Sequence, residues 1–196
     1  MTIEPNSVAI AGVMVGWAMV AVAMVVGQHP SRGARVRYRN VAGLVGLVLQ
    51  GAAFALAFGW HRSRLDSSML GWGVAAVSVA LAASSSGFLL AAVRTLGKQW
   101  SLLPRLVEQH TLVEAGPYSV VRHPIYLAML GMLLSTGLAF GPSLAVLVAL
   151  ALYILGTIPR IRMEERLLNQ TFGKQYARYS RHVPAFLPLR WHRKTA

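Results

Sequence analysis

With 196 residues, 55% hydrophobic and only 13% charged, and with a mean hydropathy of +0.52, the chain is too apolar for a soluble domain and reads as an integral membrane protein. Its formal net charge of +13 comes from basic residues that punctuate apolar runs, which argues against nucleic acid and for cytoplasmic flanks beside anionic lipid headgroups. No cysteine is present, so disulfides, thiolate metal sites and a cysteine nucleophile are excluded.

Val8 to Gly27 carries no charge and is long enough to cross about 30 Å of hydrocarbon as a helix. Glu4 rather than a basic cluster precedes it, so a retained span is expected and not a cleaved signal. Arg32, Arg35, Arg37 and Arg39 follow without an acid and should stay cytoplasmic, which puts the N-terminus outside. Val41 to Trp60 is the second span, with Gly43, Gly46, Gly51 and Gly59 as close-packing positions. After a short outer loop, Leu70 to Val93 returns the chain inward, its Ser84-Ser85-Ser86-Gly87 stretch suited to packing through small residues. A polar connection runs from Arg94 to Glu114.

Pro124 to Phe140 and Pro142 to Ile158 form a hairpin of two short spans joined at Gly141-Pro142, each proline suited to a first helical turn. From Arg160 to about Arg181 a cytoplasmic helix is expected, with Leu167, Leu168, Phe172 and Tyr176 as its apolar stripe. The expected fold is an all-α integral membrane protein of about five transmembrane helices with a cytoplasmic C-terminal helical cap. It divides into three N-terminal helices (1–93) and a C-terminal core (94–196). The Ala, Val, Gly and Arg bias points to a bacterial source and so to the inner membrane.

Two junctions carry chemistry. Before the fourth span stand Trp100, His110, Tyr118, Arg122, His123 and Tyr126, groups that bind a polar cofactor while the bilayer accepts an apolar tail; an aromatic belt with basic flanks is the bland alternative. The histidines lack ligand spacing and an acidic companion, so no metal is expected. After the fifth span, Arg160 and Glu164 share a face if the helix continues, and Glu165 lies near Arg162 in sequence. They serve as interfacial ion pairs or, given the cost of carboxylates at the end of an apolar span, as functional groups.

Together, His110-Thr111-Leu112-Val113, Gly116-Pro117-Tyr118, Arg122-His123-Pro124-Ile125-Tyr126, Glu164-Glu165, Phe172-Gly173-Lys174-Gln175-Tyr176 and the Tyr176 to Pro184 ending resemble the isoprenylcysteine carboxyl methyltransferase family and its wider phospholipid methyltransferase relatives. The resemblance covers the C-terminal half. It implies S-adenosylmethionine binding by His110, Leu112, Val113, Tyr118, His123, Pro124, Tyr126 and Glu164, and positioning of a substrate carboxylate by Arg160. The implied partners are a lipophilic small-molecule acceptor and membrane lipids. Because a sulfonium methyl is already activated, alignment and water exclusion are the main requirements. A carboxylate acceptor needs no base, whereas an amine calls on Glu165 or a histidine. Three alternatives stand beside this reading: a phospholipid N-methyltransferase, an NADPH-dependent membrane reductase and a nonenzymatic scaffold. No Gly-x-Gly-x-x-Gly fingerprint favours the reductase.

Overall fold

The computed structural model describes residues 4–27, 41–59, 65–100, 111–140 and 143–186, and the regular structure among them is entirely helical. Six helices follow in order: α1 (Pro5–Val26), α2 (Val41–Gly59), α3 (Met69–Leu96), α4 (Pro124–Phe140), α5 (Ser143–Phe172) and α6 (Lys174–His182). Short 3-10 turns at Gly97–Gln99 and Gly116–Ser119 flank the polar connection. Three segments are long and apolar enough to cross a membrane, Pro5–Val26, Met69–Gln99 and Leu144–Phe172; Gly43–Gly59 and Pro124–Phe140 are shorter apolar helices. Valines and leucines such as Val15, Val25, Val48, Leu70, Leu147 and Leu155 face outward. Soluble proteins avoid so extensive an exposed apolar surface, and lipid is the solvent that covers it.

Helix contacts inside the bundle use small residues. Ala9, Val13 and Ala23 on α1 and Ala75, Ala82 and Leu89 on α3 share one core. With little hydrophobic drive between helices in lipid, close van der Waals approach and interhelical hydrogen bonds take over. Ser78 and Ser135 illustrate the second device, each hydroxyl donating to the other's backbone carbonyl at 3.0 and 2.9 Å. In the Ser84 to Gly87 stretch, Ser85 and Ser86 are buried, while Ser84 and Gly87 are exposed.

α2 packs along α5 through two of the four expected glycines. A Cβ on Gly46 would stand 2.5 Å from the Gly156 carbonyl oxygen and 2.8 Å from Arg160 Cγ, and one on Gly43 would meet Met163. Gly51 and Gly59 have nothing within 4 Å, so they are not packing positions in this structure. Gly156→Ala is expected to push the helices apart, because its Cβ would lie 2.6 Å from the Gly46 carbonyl oxygen, a backbone atom that cannot rotate aside. Overpacking of this kind costs about 1–3 kcal/mol. Thermal unfolding in detergent should show Gly156→Ala several degrees below wild type and Gly51→Ala unchanged; equal behaviour of the two variants would contradict the close crossing.

One boundary differs from expectation. The stretch from Arg160 to Arg181 is not one helix: α5, 30 residues and about 45 Å long at 1.5 Å per residue, runs from the apolar segment through Pro159 to Phe172. Proline leaves the Leu155 carbonyl without its N–H partner and crowds it with the ring, but its fixed φ suits a helix, and packing against neighbouring helices offsets the cost. At that length α5 overshoots a hydrocarbon layer of about 30 Å, and the overshoot is the charged stretch after Ile158. The break comes at Gly173 instead, at φ +46, a conformation that glycine adopts without steric cost. Tyr176 therefore belongs to α6 and not to a continuous stripe with Leu167, Leu168 and Phe172.

Candidate functional site

The polar ends of α2, α4 and α5 meet on one side of the bundle. Gly27 at the end of α1 lies against Val93 of α3 and Trp100, and Gly43 at the start of α2 lies against Met163 of α5. Gly116, at φ +58, turns the connection beside Thr95 and starts the Pro117-Tyr118 turn. Pro124 occupies the first turn of α4, which leaves the two preceding backbone N–H groups free for other partners. Those of Arg122 and His123 donate to the Pro184 and Ala185 carbonyls at 2.9 and 3.1 Å, tying the C-terminal segment across the start of α4.

Glu164 and Glu165 are consecutive on α5, so their side chains diverge by about 100° around the helix. His123, 5% exposed, stands between them with Nδ1 3.5 Å from Glu164 Oε2 and Nε2 3.3 Å from Glu165 Oε1. On one flank Arg122 donates from Nε and Nη2 to Glu165 Oε1 at 3.1 and 2.6 Å. Its Nη1 donates to the carbonyls of Ser180, in the last turn of α6, and Val183, just past it, at 2.9 and 2.7 Å. On the other flank the Tyr126 hydroxyl donates to Glu164 Oε1 and accepts from Arg160 Nε at 3.0 Å. Arg160 is 4% exposed; its guanidinium carbon lies 5.7 Å from the centre of the Tyr126 ring, and Nη1 reaches the Gly43 carbonyl at 3.4 Å. Tyr153 donates to the Tyr126 carbonyl at 2.8 Å, and Tyr179 to the Tyr118 carbonyl at 2.6 Å.

These contacts set the electrostatics. Burial disfavours a charged His123 ring, yet the hydrogen bonds and charges of Glu164 and Glu165 outweigh it and raise the imidazole above its usual 6.5. Tyr118 is raised by burial first and by the Glu164 charge second, which keeps the phenol neutral. Since folded His123 holds its proton more tightly than the unfolded chain does, its contribution to stability is complete below about pH 6.5 and is lost as pH rises through the raised value. Thermal midpoints measured from neutral to mildly alkaline pH should fall more steeply for wild type than for His123→Asn; parallel profiles would mean that the native imidazole is neutral.

The structure brings together Tyr118, His123, Pro124, Tyr126, Arg160 and Glu164 from the sequence-based set. His110 lies outside the described residues. Leu112 and Val113 are half-buried in the extended segment 111–114, whose start is fixed by two bonds between Gln99 and Thr111 at 3.0 and 3.1 Å. Sequence reasoning counted Arg122 among the candidate cofactor-binding groups without naming its partner, gave no site role to Tyr153 and set Glu165 beside Arg162, whereas Glu165 pairs with Arg122. The signal for Arg122 was its place beside His123, since an adjacent pair of carboxylates on a helix calls for two partners.

The model of the isoprenylcysteine carboxyl methyltransferase family matches residues 77–170. The cobalt-zinc-cadmium resistance protein CzcN of Cupriavidus metallidurans is 40% identical over 104 residues, 52% of this chain and 47% of that protein. Protein-S-isoprenylcysteine O-methyltransferase B of Arabidopsis thaliana is 33% identical over 101 residues, 50% of this chain and 51% of that protein. The nickel-cobalt-cadmium resistance protein NccN of Alcaligenes xylosoxydans xylosoxydans is 34% identical over 104 residues, covering 52% and 48%. The matched segment thus spans about half the length of these curated relatives. It includes α4, Arg160, Glu164 and Glu165, the heart of the polar cluster, and through residues 77–170 the chain is similar to the isoprenylcysteine carboxyl methyltransferase family.

Proposed function

We propose that the protein is an S-adenosylmethionine-dependent methyltransferase acting on a lipophilic acceptor at the membrane surface. The observation that carries this reading is the cluster itself: His123 and Tyr126 from the start of α4 and Arg160, Glu164 and Glu165 from α5 meet where the apolar part of the bundle ends, within the segment matched to the family. The donor set fits the cofactor. Glu164 is about a quarter exposed and sits beside the rings of His123 and Tyr126, and carboxylate with aromatic faces suits a cationic ligand that carries hydroxyl and amino groups.

When bound, the sulfonium cofactor supplies an activated methyl group. The side chains supply alignment and dryness. In this reading Glu164 holds a polar or cationic part of the donor, with its orientation fixed by Tyr126 and His123. Arg160 is braced by Tyr126 and the α2 backbone and positions the acceptor's carboxylate, and a braced guanidinium loses little freedom on forming a forked pair. His110, Leu112, Val113, Tyr118 and Pro124 complete the proposed donor site. Glu165 already accepts from Arg122 at 2.6 Å, which makes it a poor general base and favours an anionic acceptor over an amine that must lose a proton. We further propose five spans with the cluster on the cytoplasmic side, supported by Arg32, Arg35, Arg37 and Arg39, which precede in sequence the start of α2 that Arg160 reaches at Gly43.

Calorimetry with the detergent-solubilised protein tests the assignment. S-adenosylmethionine should bind and NADPH should not. Selective NADPH binding would turn the reading to a reductase, and binding of neither by folded protein would leave a scaffold. With donor binding in hand, labelled methyl transfer to lipophilic carboxylates and amines separates the acceptor classes.

A further inference from the structure

A second polar feature lies on a different face of α5. Arg162, Glu165, Arg166 and Asn169 of α5 and Tyr176, Ala177, Ser180 and Arg181 of α6 line an open groove of about 470 Å³. The α5 residues recur at helical spacing along one side, and the sharp turn at Gly173 brings α6 back against them. Arg162, Arg166 and Arg181 are exposed, and none forms an ion pair with a carboxylate among the described residues. The groove's one carboxylate, Glu165, is committed to Arg122 and His123. The groove therefore presents an excess of positive charge.

Tyr176 lines the inner wall of the groove, 5% exposed, with its enclosed hydroxyl beside Glu165 and Arg122. Depth indicates which anion the groove suits. Arg162 lies four residues beyond Ile158, the last residue of the apolar run, or about 6 Å along the helix, which is headgroup depth for a span that ends at Ile158.

From these observations we infer that the α5–α6 groove binds the phosphodiester headgroup of an anionic phospholipid, with Arg162, Arg166 and Arg181 around the phosphate. The inference concerns a site beside the methyl-transfer cluster and does not depend on that assignment. Bound lipid would brace α6 against α5 and so support the Arg122–Glu165 pair behind it.

Native mass spectrometry of the full chain, released from detergent containing equal phosphatidylglycerol and phosphatidylcholine, tests the idea. Wild type should retain phosphatidylglycerol selectively. The double variant R166A and R181A should lower that selectivity by at least about tenfold. A control that removes Lys174 and Arg178, exposed on α6 but outside the groove, should keep it. Equal loss in both double variants would mean diffuse surface charge and would overturn the site. Equal retention of the two lipids by wild type would do the same, and displacement of phosphatidylglycerol by millimolar inorganic phosphate would overturn the lipid as the ligand.

Discussion

Arg122→Ala is expected to be among the most damaging single substitutions outside the apolar core. The guanidinium serves three partners at once: the Glu165 carboxylate and the carbonyls of Ser180 and Val183. Its side chain is 13% exposed and that of Glu165 29%, so water reaches the pair only partly. Removing one member of such a pair strands the other, at a cost of about 3 kcal/mol, and here the carbonyls of Ser180 and Val183 at the end of α6 lose a donor as well. Arg122→Lys keeps the charge but cannot span carboxylate and carbonyls with one planar fork, so it should fall between alanine and wild type. Thermal unfolding in detergent gives the order. If alanine is as stable as wild type, the C-terminal segment is held mainly by the backbone bonds from Arg122 and His123 to Pro184 and Ala185.

Glu164→Gln should leave the fold largely intact and strike the donor. Gln is nearly isosteric and still accepts from Tyr126, but it removes the negative charge that the proposal gives to the cofactor. Loss of a hydrogen bond to a charged group costs about 1.5–3 kcal/mol, or roughly a 10- to 150-fold weaker Kd for S-adenosylmethionine by calorimetry. Arg160→Ala provides the contrast: donor affinity is expected near wild type while the KM for a carboxylate acceptor rises. Equal donor affinity in wild type and Glu164→Gln would remove Glu164 from the donor site. Parallel loss of donor binding in both variants would mean that Arg160 acts through Tyr126 on Glu164 rather than on the acceptor.

Much of this architecture was legible in the sequence because apolar runs and charge punctuation record the bilayer directly. The start of α4 at Pro124 followed from proline's preference for a first turn, and the pairing of the two chemical junctions followed from hairpin topology. The course of α5 did not. Proline usually ends a helix in water, but a packed apolar helix tolerates one missing N–H, and sequence alone could not weigh the packing. Nor does composition separate Gly43 and Gly46, which face α5, from Gly51 and Gly59, which meet nothing; the difference lies in which way α2 is rotated about its axis. At the site, residue types were readable and their partners were not. Glu165 has Arg162 three positions away, yet it pairs with Arg122, 43 positions away, because the α4–α5 hairpin sets them opposite each other.

The cluster is clasped from both sides by parts of the chain that lie beyond residues 77–170. Arg160 reaches the Gly43 carbonyl of α2, and Arg122 and His123 hold the backbone of Pro184 and Ala185. The shared segment is thus not a cassette that can be carried between proteins unaltered. Drift at Gly43 or Gly46 has to be answered at Gly156, Arg160 or Met163, so the first helices and the final turn have to co-evolve with the cluster they enclose, however freely their lipid-facing surfaces diverge.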